Sequence, residues 1–119
     1  MRRRLTPAMR LRSSREFALA RETGGRAVRG CLAVNWLKLA SASTSKVGVI
    51  ASRKLGSAVV RNRARRLLRE SFRRHQHELR EPLALVLVAR HGIRAQGLEA
   101  VEHDYLAILR GANLLRPPA

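Results

Sequence analysis

Residues 54–72 have the sequence KLGSAVVRNRARRLLRESF, the most regular pattern in this chain of 119 residues. Apolar or small residues recur there at helical spacing, at Val60, Ala64, Leu67, Leu68 and Ser71. The opposite side of the same helix would carry Asn62, Arg66, Arg69 and Arg73, and its flanks Arg61, Arg63 and Arg65. The pattern predicts an amphipathic helix over residues 58–77, with one buried stripe and one strongly basic side.

Upstream of this basic helix, weaker patterns predict a short helix and extended chain. A Ser-x-x-Glu capping box opens a helix over residues 13–22. Residues 27–40 alternate as extended chain, either one strand or a hairpin. A polar turn at 41–45 then precedes a further strand at 47–52.

Downstream, Pro82 breaks the chain before a continuous apolar run at 83–89, which is typical of a central strand covered on both faces. Residues 98–115 form the last predicted helix. The elements together predict an α+β fold, a two-layer sandwich with the order α-β-β-β-α-β-α. In this arrangement the basic helix crosses over between two strands that could be parallel.

The chain has room for one domain, predicted at 13–115, with a basic arm at 1–12 and a tail at 116–119. No apolar run approaches the roughly 20 residues of a membrane span, and the N-terminal MRRRL has no apolar signal segment. The single cysteine, Cys31, cannot form an internal disulfide and is expected to be a small buried residue. These features predict a cytoplasmic protein with no membrane partner.

Charge is concentrated in the first two thirds of the chain. The net charge is +17, and residues 1–76 hold 20 of the 25 basic residues against three acids. Residues 46–74 alone carry ten basic residues and one acid, Glu70, which could pair with Arg66 and Arg74 four residues away. Folding gives no reason to cluster like charges, so the imbalance predicts a nucleic-acid-binding surface.

The extended segment resembles the signature of the bacterial ribonuclease P protein subunit. The match centres on the triplet Arg61-Asn62-Arg63 and includes the preceding Lys-x-Gly-x-Ala-Val at 54–59. It continues upstream through Val47-Gly48-Val49 and Ser52-Arg53-Lys54, and it covers the early segment LRSSREF at 11–17 and the apolar strand before Ala89-Arg90. The resemblance therefore spans nearly the whole predicted domain.

The resemblance implies a role in transfer RNA maturation. It implies a 1:1 complex with a catalytic RNA subunit that uses Mg²⁺, and no catalytic group or metal site on the protein itself. Together the two subunits would cut precursor tRNA endonucleolytically and release its 5′ leader. It also implies a left-handed crossover at the basic helix, against the general preference for right-handed crossovers.

Two groups of site residues follow from the matched positions. The predicted contacts to the catalytic RNA are Arg53, Lys54, Arg61, Asn62, Arg63, Arg65, Arg66 and Arg69. The predicted leader-binding cleft, between the sheet and the first helix, contains Phe17, Arg21, Asn35 and Trp36. Arg21 and Asn35 stand where the family often has aromatic residues, so Arg21 could stack on a base and Trp36 either replaces the platform through a bulge or lies in the core.

Other functions are also compatible with a basic chain of this size. A ribosomal or RNA-chaperone protein would share the composition but not the extended motif. An independent nuclease would need its own acid, base or metal ligands, for which only His75, His77 and the pair Glu99 and His103 stand at suitable spacing. A helix-turn-helix DNA-binding protein would need a short helix and tight turn before the basic helix.

Overall fold

The described chain begins with a β-hairpin rather than one long strand. The computed structural model describes residues 24–39 and 44–117. In it, β1 (Gly25–Arg29) and β2 (Leu32–Lys38) pair antiparallel. The turn between them contains Gly30 with φ of +55°, a conformation that residues with a Cβ atom rarely adopt. The hairpin, one of the two alternatives for the extended segment, is therefore confirmed.

Two further strands complete a four-stranded sheet. β3 (Lys46–Ile50) and β4 (Leu83–Ala89) join the hairpin in the order β1-β2-β4-β3. The central β4 is antiparallel to β2 and parallel to β3. Its apolar residues alternate between the two faces of the sheet and Leu83 to Leu87 are buried, which confirms the prediction of a central strand.

A single long helix makes the crossover between the parallel strands. This helix, α1 (Ala58–His75), follows β3 and returns the chain to β4. The predicted parallel pairing is confirmed, and the hand of the crossover stays a prediction. The helix ends two residues earlier than expected, because the chain tightens into a 3₁₀ turn at Gln76–Glu78 before Leu79 becomes extended.

The start of α1 is defined by two residues with distinct roles. The side-chain oxygen of Ser57 accepts a hydrogen bond from the backbone N–H of Val60 at 3.3 Å, which satisfies one of the free donors of the first turn. The preceding Gly56 has φ of +149° and ψ of −155°, a combination almost confined to glycine. Gly56 therefore sets the direction of the chain before α1, and the adjacent Ser57 sets the point at which the helix starts.

The last helix is shorter than the sequence pattern predicted. This helix, α2 (Leu98–Gly111), ends four residues before the predicted limit at 115. Asn113 has φ of +60°, and the N–H of Leu114 donates to the carbonyl of Leu109 at 2.9 Å. This hydrogen-bond pattern closes a helix at a left-handed residue. Leu115 then forms an isolated bridge with Leu79, which explains why the apolar pattern continues beyond the helix.

Both described helices pack on one face of the sheet. Buried residues of α1 and α2, among them Leu68, Phe72 and Tyr105, form the main core with one set of strand residues. Ala84 and Val86 of β4 belong to a second, smaller apolar cluster on the opposite face. The predicted α+β class is confirmed. The arm at 1–12, the first helix at 13–22 and the end of the tail lie outside the described residues.

Candidate nucleic-acid interface

The outer side of α1 is polar and basic, as its sequence pattern predicts. Ala64 and Leu68 are fully buried against the sheet, whereas Asn62 and Arg66 are exposed. Val59, one turn before Asn62 and Arg63, is 77% exposed and is the most exposed large apolar side chain of the described chain. The basic side of α1 is therefore accessible to a binding partner over the first three turns of the helix.

Arg61 and Arg63 lie on opposite flanks of the helix, because two residues turn about 200° around its axis. Arg63 donates from Nη2 to the backbone carbonyl of Gln96 at 2.6 Å, so its guanidinium lies toward the start of α2. The Nε atom of Arg61 is buried and has no hydrogen-bond partner among residues 24–39 and 44–117. A buried donor that stays without an acceptor is costly.

Asn62 is oriented by its neighbour on the next turn. Arg65 donates from Nη1 to Oδ1 of Asn62 at 2.9 Å, and its Nη2 reaches the carbonyl of Ala51 at 3.5 Å. The carbonyl oxygen of the Asn62 amide is therefore engaged, and its NH₂ group has no partner in the described part of the chain. An amide held in this way presents donors, which fit a base carbonyl, a ribose hydroxyl or a phosphate oxygen.

A short 3₁₀ turn extends the basic surface beyond the helix. In this turn, Arg53–Leu55, the side chain of Leu55 is buried and fixes the backbone, while Arg53 and Lys54 are exposed. The turn also contacts α1. We call this combined surface the basic face, and its residues are the eight predicted contacts Arg53, Lys54, Arg61, Asn62, Arg63, Arg65, Arg66 and Arg69. None of the eight is fully buried.

Acidic residues neutralise the end of α1 but not its start. Glu70 pairs with Arg73, three residues on, which is not one of the two arginines four residues away that it could have paired with. Arg74 instead donates to Glu102 of α2 at 2.7 Å. Within residues 24–39 and 44–117, Arg66 makes no ion pair. Positive charge is therefore balanced near the C-terminal end of the helix and unbalanced on the basic face.

One of the histidines considered as a catalytic or metal-binding group, His75, is held by two carboxylates. His75 contacts Glu78 through Nδ1 and Glu102 through Nε2, the latter at 2.8 Å. Burial lowers the pKa of His75, but the hydrogen bonds and charges of these two carboxylates outweigh it, so the net pKa is raised. His77 and His103 are exposed. The described residues bring no three His, Cys, Asp or Glu side chains together as a metal site.

Cys31 is part of the core. It is 2% exposed in the hairpin turn, and its backbone N–H donates to Asp104 at 3.1 Å. Burial, with a smaller effect from Asp104, raises the pKa of its thiol to about 12. The thiol is therefore protonated at neutral pH and is not an activated nucleophile, which confirms the prediction of a small buried residue.

Comparison with known proteins identifies the family of this chain. Residues 5–113 match the family model named Ribonuclease P. The chain belongs to the ribonuclease P family. A ribonuclease P protein component from Syntrophomonas wolfei is 37% identical over 105 residues, covering 88% of this chain and 87% of the relative. The resemblance of this chain to the ribonuclease P protein subunit is therefore confirmed.

Solved ribonuclease P proteins share the fold of this family member. The protein from Thermotoga maritima superposes with a TM-score of 0.76 at 26% identity, over 86% of this chain and 96% of that one. The Staphylococcus aureus protein gives a TM-score of 0.82 at 20% identity, over 91% and 98% of the two chains.

In the described part of the chain, neither α1 nor any other helix has the length and apolar character needed to span a bilayer.

The predicted leader-cleft residues of this ribonuclease P family member divide between two faces of the sheet. Asn35 is 3% exposed and pairs with Val86, so it lies on the face opposite α1 and α2. Trp36 pairs with Leu85 and packs over Gly25 beside the main core. The register of β2 with both neighbours is regular, without a bulge. Trp36 therefore lies beside the core, and Phe17 and Arg21 lie outside the described residues.

One group of exposed side chains, which includes two arginines, was not predicted from the sequence. A third 3₁₀ turn, His91–Ala95, contacts both α1 and the Arg53–Leu55 turn. It carries His91 and Arg94, and Arg90 precedes it. These residues lie 18 to 22 positions beyond the end of the segment at 54–72, so only the fold places them beside it. The absence of any acid between Glu81 and Glu99 was the available sequence clue.

Proposed function

We propose that this chain is the protein subunit of ribonuclease P and that its basic face binds the catalytic RNA. The family match supports a role in tRNA processing together with an RNA subunit. The observation that carries the proposal is the unbalanced charge of the basic face, where Arg53, Lys54 and Arg66 have no acidic partner in the described chain. Arginine forks form charge-assisted hydrogen bonds to phosphates, so this surface suits an RNA backbone.

The proposed division of labour leaves catalysis to the RNA. The RNA subunit, using Mg²⁺, cleaves precursor tRNA endonucleolytically, and the protein promotes docking of both RNAs in a 1:1 complex in the cytoplasm. No step is assigned to a side chain of this chain as acid, base or nucleophile. The protein contributes positive charge and donor groups, which lower the electrostatic cost of bringing two polyanions together.

Reconstitution tests this proposal directly. The purified chain is mixed with a bacterial ribonuclease P RNA and a precursor tRNA at a low magnesium concentration, and release of the 5′ leader is measured. We expect cleavage by the two subunits together and none by the protein alone. Cleavage by the protein without RNA, or no stimulation of the RNA by the protein, would contradict the proposal.

We further propose that the 5′ leader is bound on the sheet face that contains Asn35, with Phe17 and Arg21 as stacking groups. Trp36 faces the other way, so we propose that it supports β2 from the core side rather than stacking on the leader. Stacking on an aromatic ring contributes about 1–3 kcal/mol per base. Phe17→Ala is therefore expected to weaken binding of long-leader substrates more than leaderless ones. Equal losses on both substrates would instead indicate a packing role for Phe17.

A further inference from the structure

The His91–Ala95 turn is held rigidly beside the basic face. Ile93 at its centre is fully buried, and the backbone N–H of this residue donates to the carbonyl of Arg90 at 2.9 Å. The hydrogen bond from Arg63 to the carbonyl of Gln96 ties the end of the same turn to α1. Contact with the Arg53–Leu55 turn completes the connection. The turn therefore forms a fixed continuation of the basic face.

The exposed side chains of this turn can donate hydrogen bonds, and they are not needed to stabilise the fold. Arg94 and His91 are exposed, and within residues 24–39 and 44–117 neither makes a hydrogen bond or ion pair through its side chain. Arg90 differs, because its guanidinium donates to the carbonyl of Gly30 at 3.3 Å. Two of the acids of α2 are already engaged, Glu102 by Arg74 and Asp104 by Arg29.

We propose that the His91–Ala95 turn is a second contact surface for phosphates of the RNA subunit, with Arg94 and His91 as the contacting residues. The inference rests on the proposed function and adds a surface outside the signature segment. Charge complementarity and continuity with the basic face both favour RNA as the occupant. An RNA strand that crosses the N-terminal end of α1 would meet the Arg53–Leu55 turn and then this one.

The salt dependence of RNA binding measures the number of phosphate contacts. Each neutralised phosphate releases counterions, so losing one contact flattens the plot of log affinity against log salt by about 0.7–0.9. Arg94→Gln is compared with Arg66→Gln, on the basic face, and with Arg110→Gln, an exposed residue at the far end of α2. Binding to the RNA subunit is measured first without precursor tRNA and then in its presence.

We expect Arg94→Gln to flatten the slope by about one contact and to weaken binding about threefold to tenfold at low salt, as Arg66→Gln does. Arg110→Gln is expected to match the unchanged protein. A slope for Arg94→Gln equal to that of Arg110→Gln, while Arg66→Gln still changes it, would overturn this inference alone. No change in either Arg94→Gln or Arg66→Gln would overturn the proposed RNA-binding function as well. An Arg94→Gln effect that requires precursor tRNA would overturn the assignment to the RNA subunit.

Discussion

Gly56 shows how one residue positions the basic face. Its φ of +149° and ψ of −155° fall in a region almost confined to glycine, and a Cβ atom there would lie 3.3 Å from the side chain of Val60. In the signature segment, Gly56 stands two residues before the first residue of the helix. The structure gives the physical reason for a glycine there, because this backbone conformation allows the Arg53–Leu55 turn to lead directly into α1.

Replacing Gly56 is therefore expected to destabilise the protein. Gly56→Ala forces a strained backbone or a shift of Val60, and we expect the free energy of unfolding to fall by about 1–3 kcal/mol. Urea unfolding measures this change. Gly92→Ala is the matched control, since a Cβ atom at Gly92 meets no other atom within 4 Å. Equal stability of the two variants would show that Gly56 is not conformationally required.

Asn62 and Arg66 are adjacent on the exposed side of α1 but differ in charge. We expect Asn62→Ala to weaken binding of the RNA subunit without changing its salt dependence, because a neutral amide releases no counterion. Arg66→Gln should change both the affinity for the RNA subunit and the salt dependence of that affinity. Affinity measured at several salt concentrations separates the two outcomes. A flattened slope for Asn62→Ala would mean that this substitution disturbs the neighbouring cations through Arg65, to which the Asn62 amide is hydrogen-bonded.

At the scale of elements, a histidine joins the two helices. His75 near the end of α1 contacts Glu78 and Glu102, and Arg74 shares the second carboxylate. The raised pKa of His75 means that the folded state binds its proton more tightly than the unfolded chain does. The stabilisation is therefore complete below the ordinary value of 6.5 and is lost as pH rises through the raised pKa of the folded state.

Removal of this histidine should reduce stability in a pH-dependent way. We expect His75→Gln to lower the free energy of unfolding by about 1–2 kcal/mol at pH 6 and by less at pH 9. Chemical denaturation at the two pH values measures the difference. The control is His77→Gln, an exposed residue two positions on that should show no such dependence. A His75→Gln effect of the same size at both pH values would contradict the charged contact.

Elements with a strong local pattern could be predicted from sequence, and their ends could not. The periodicity of α1 and the apolar run of β4 were sufficient to identify both. The end of α2 was misplaced because Leu114 and Leu115 continue its apolar pattern while Asn113 turns the backbone. The pairing of Glu70 with Arg73 was not predicted, because helical spacing places several arginines within reach of one glutamate.

At the scale of the whole molecule, the fold separates two surfaces. The basic face lies on the outside of the helical layer, whereas Asn35 lies on the other face of the sheet. Most residues of the basic face lie along one helix, so the periodicity of the signature segment was enough to place them on one side of it. The same segment could not predict the His91–Ala95 turn, which the crossover connection brings alongside from a distant part of the sequence.

A cleavage reagent tethered to α1 tests most directly whether the basic face docks on the RNA subunit. Val59, one turn before Asn62 and Arg63 on α1, is 77% exposed, and the only native thiol, Cys31, is buried. Val59→Cys therefore offers a single reactive thiol for an iron chelate that cleaves nearby RNA backbone, with Arg110→Cys as the matched control. We predict localised cleavage of the RNA subunit from position 59 and little from position 110. Equal cleavage from both positions, or none from position 59, would contradict the account.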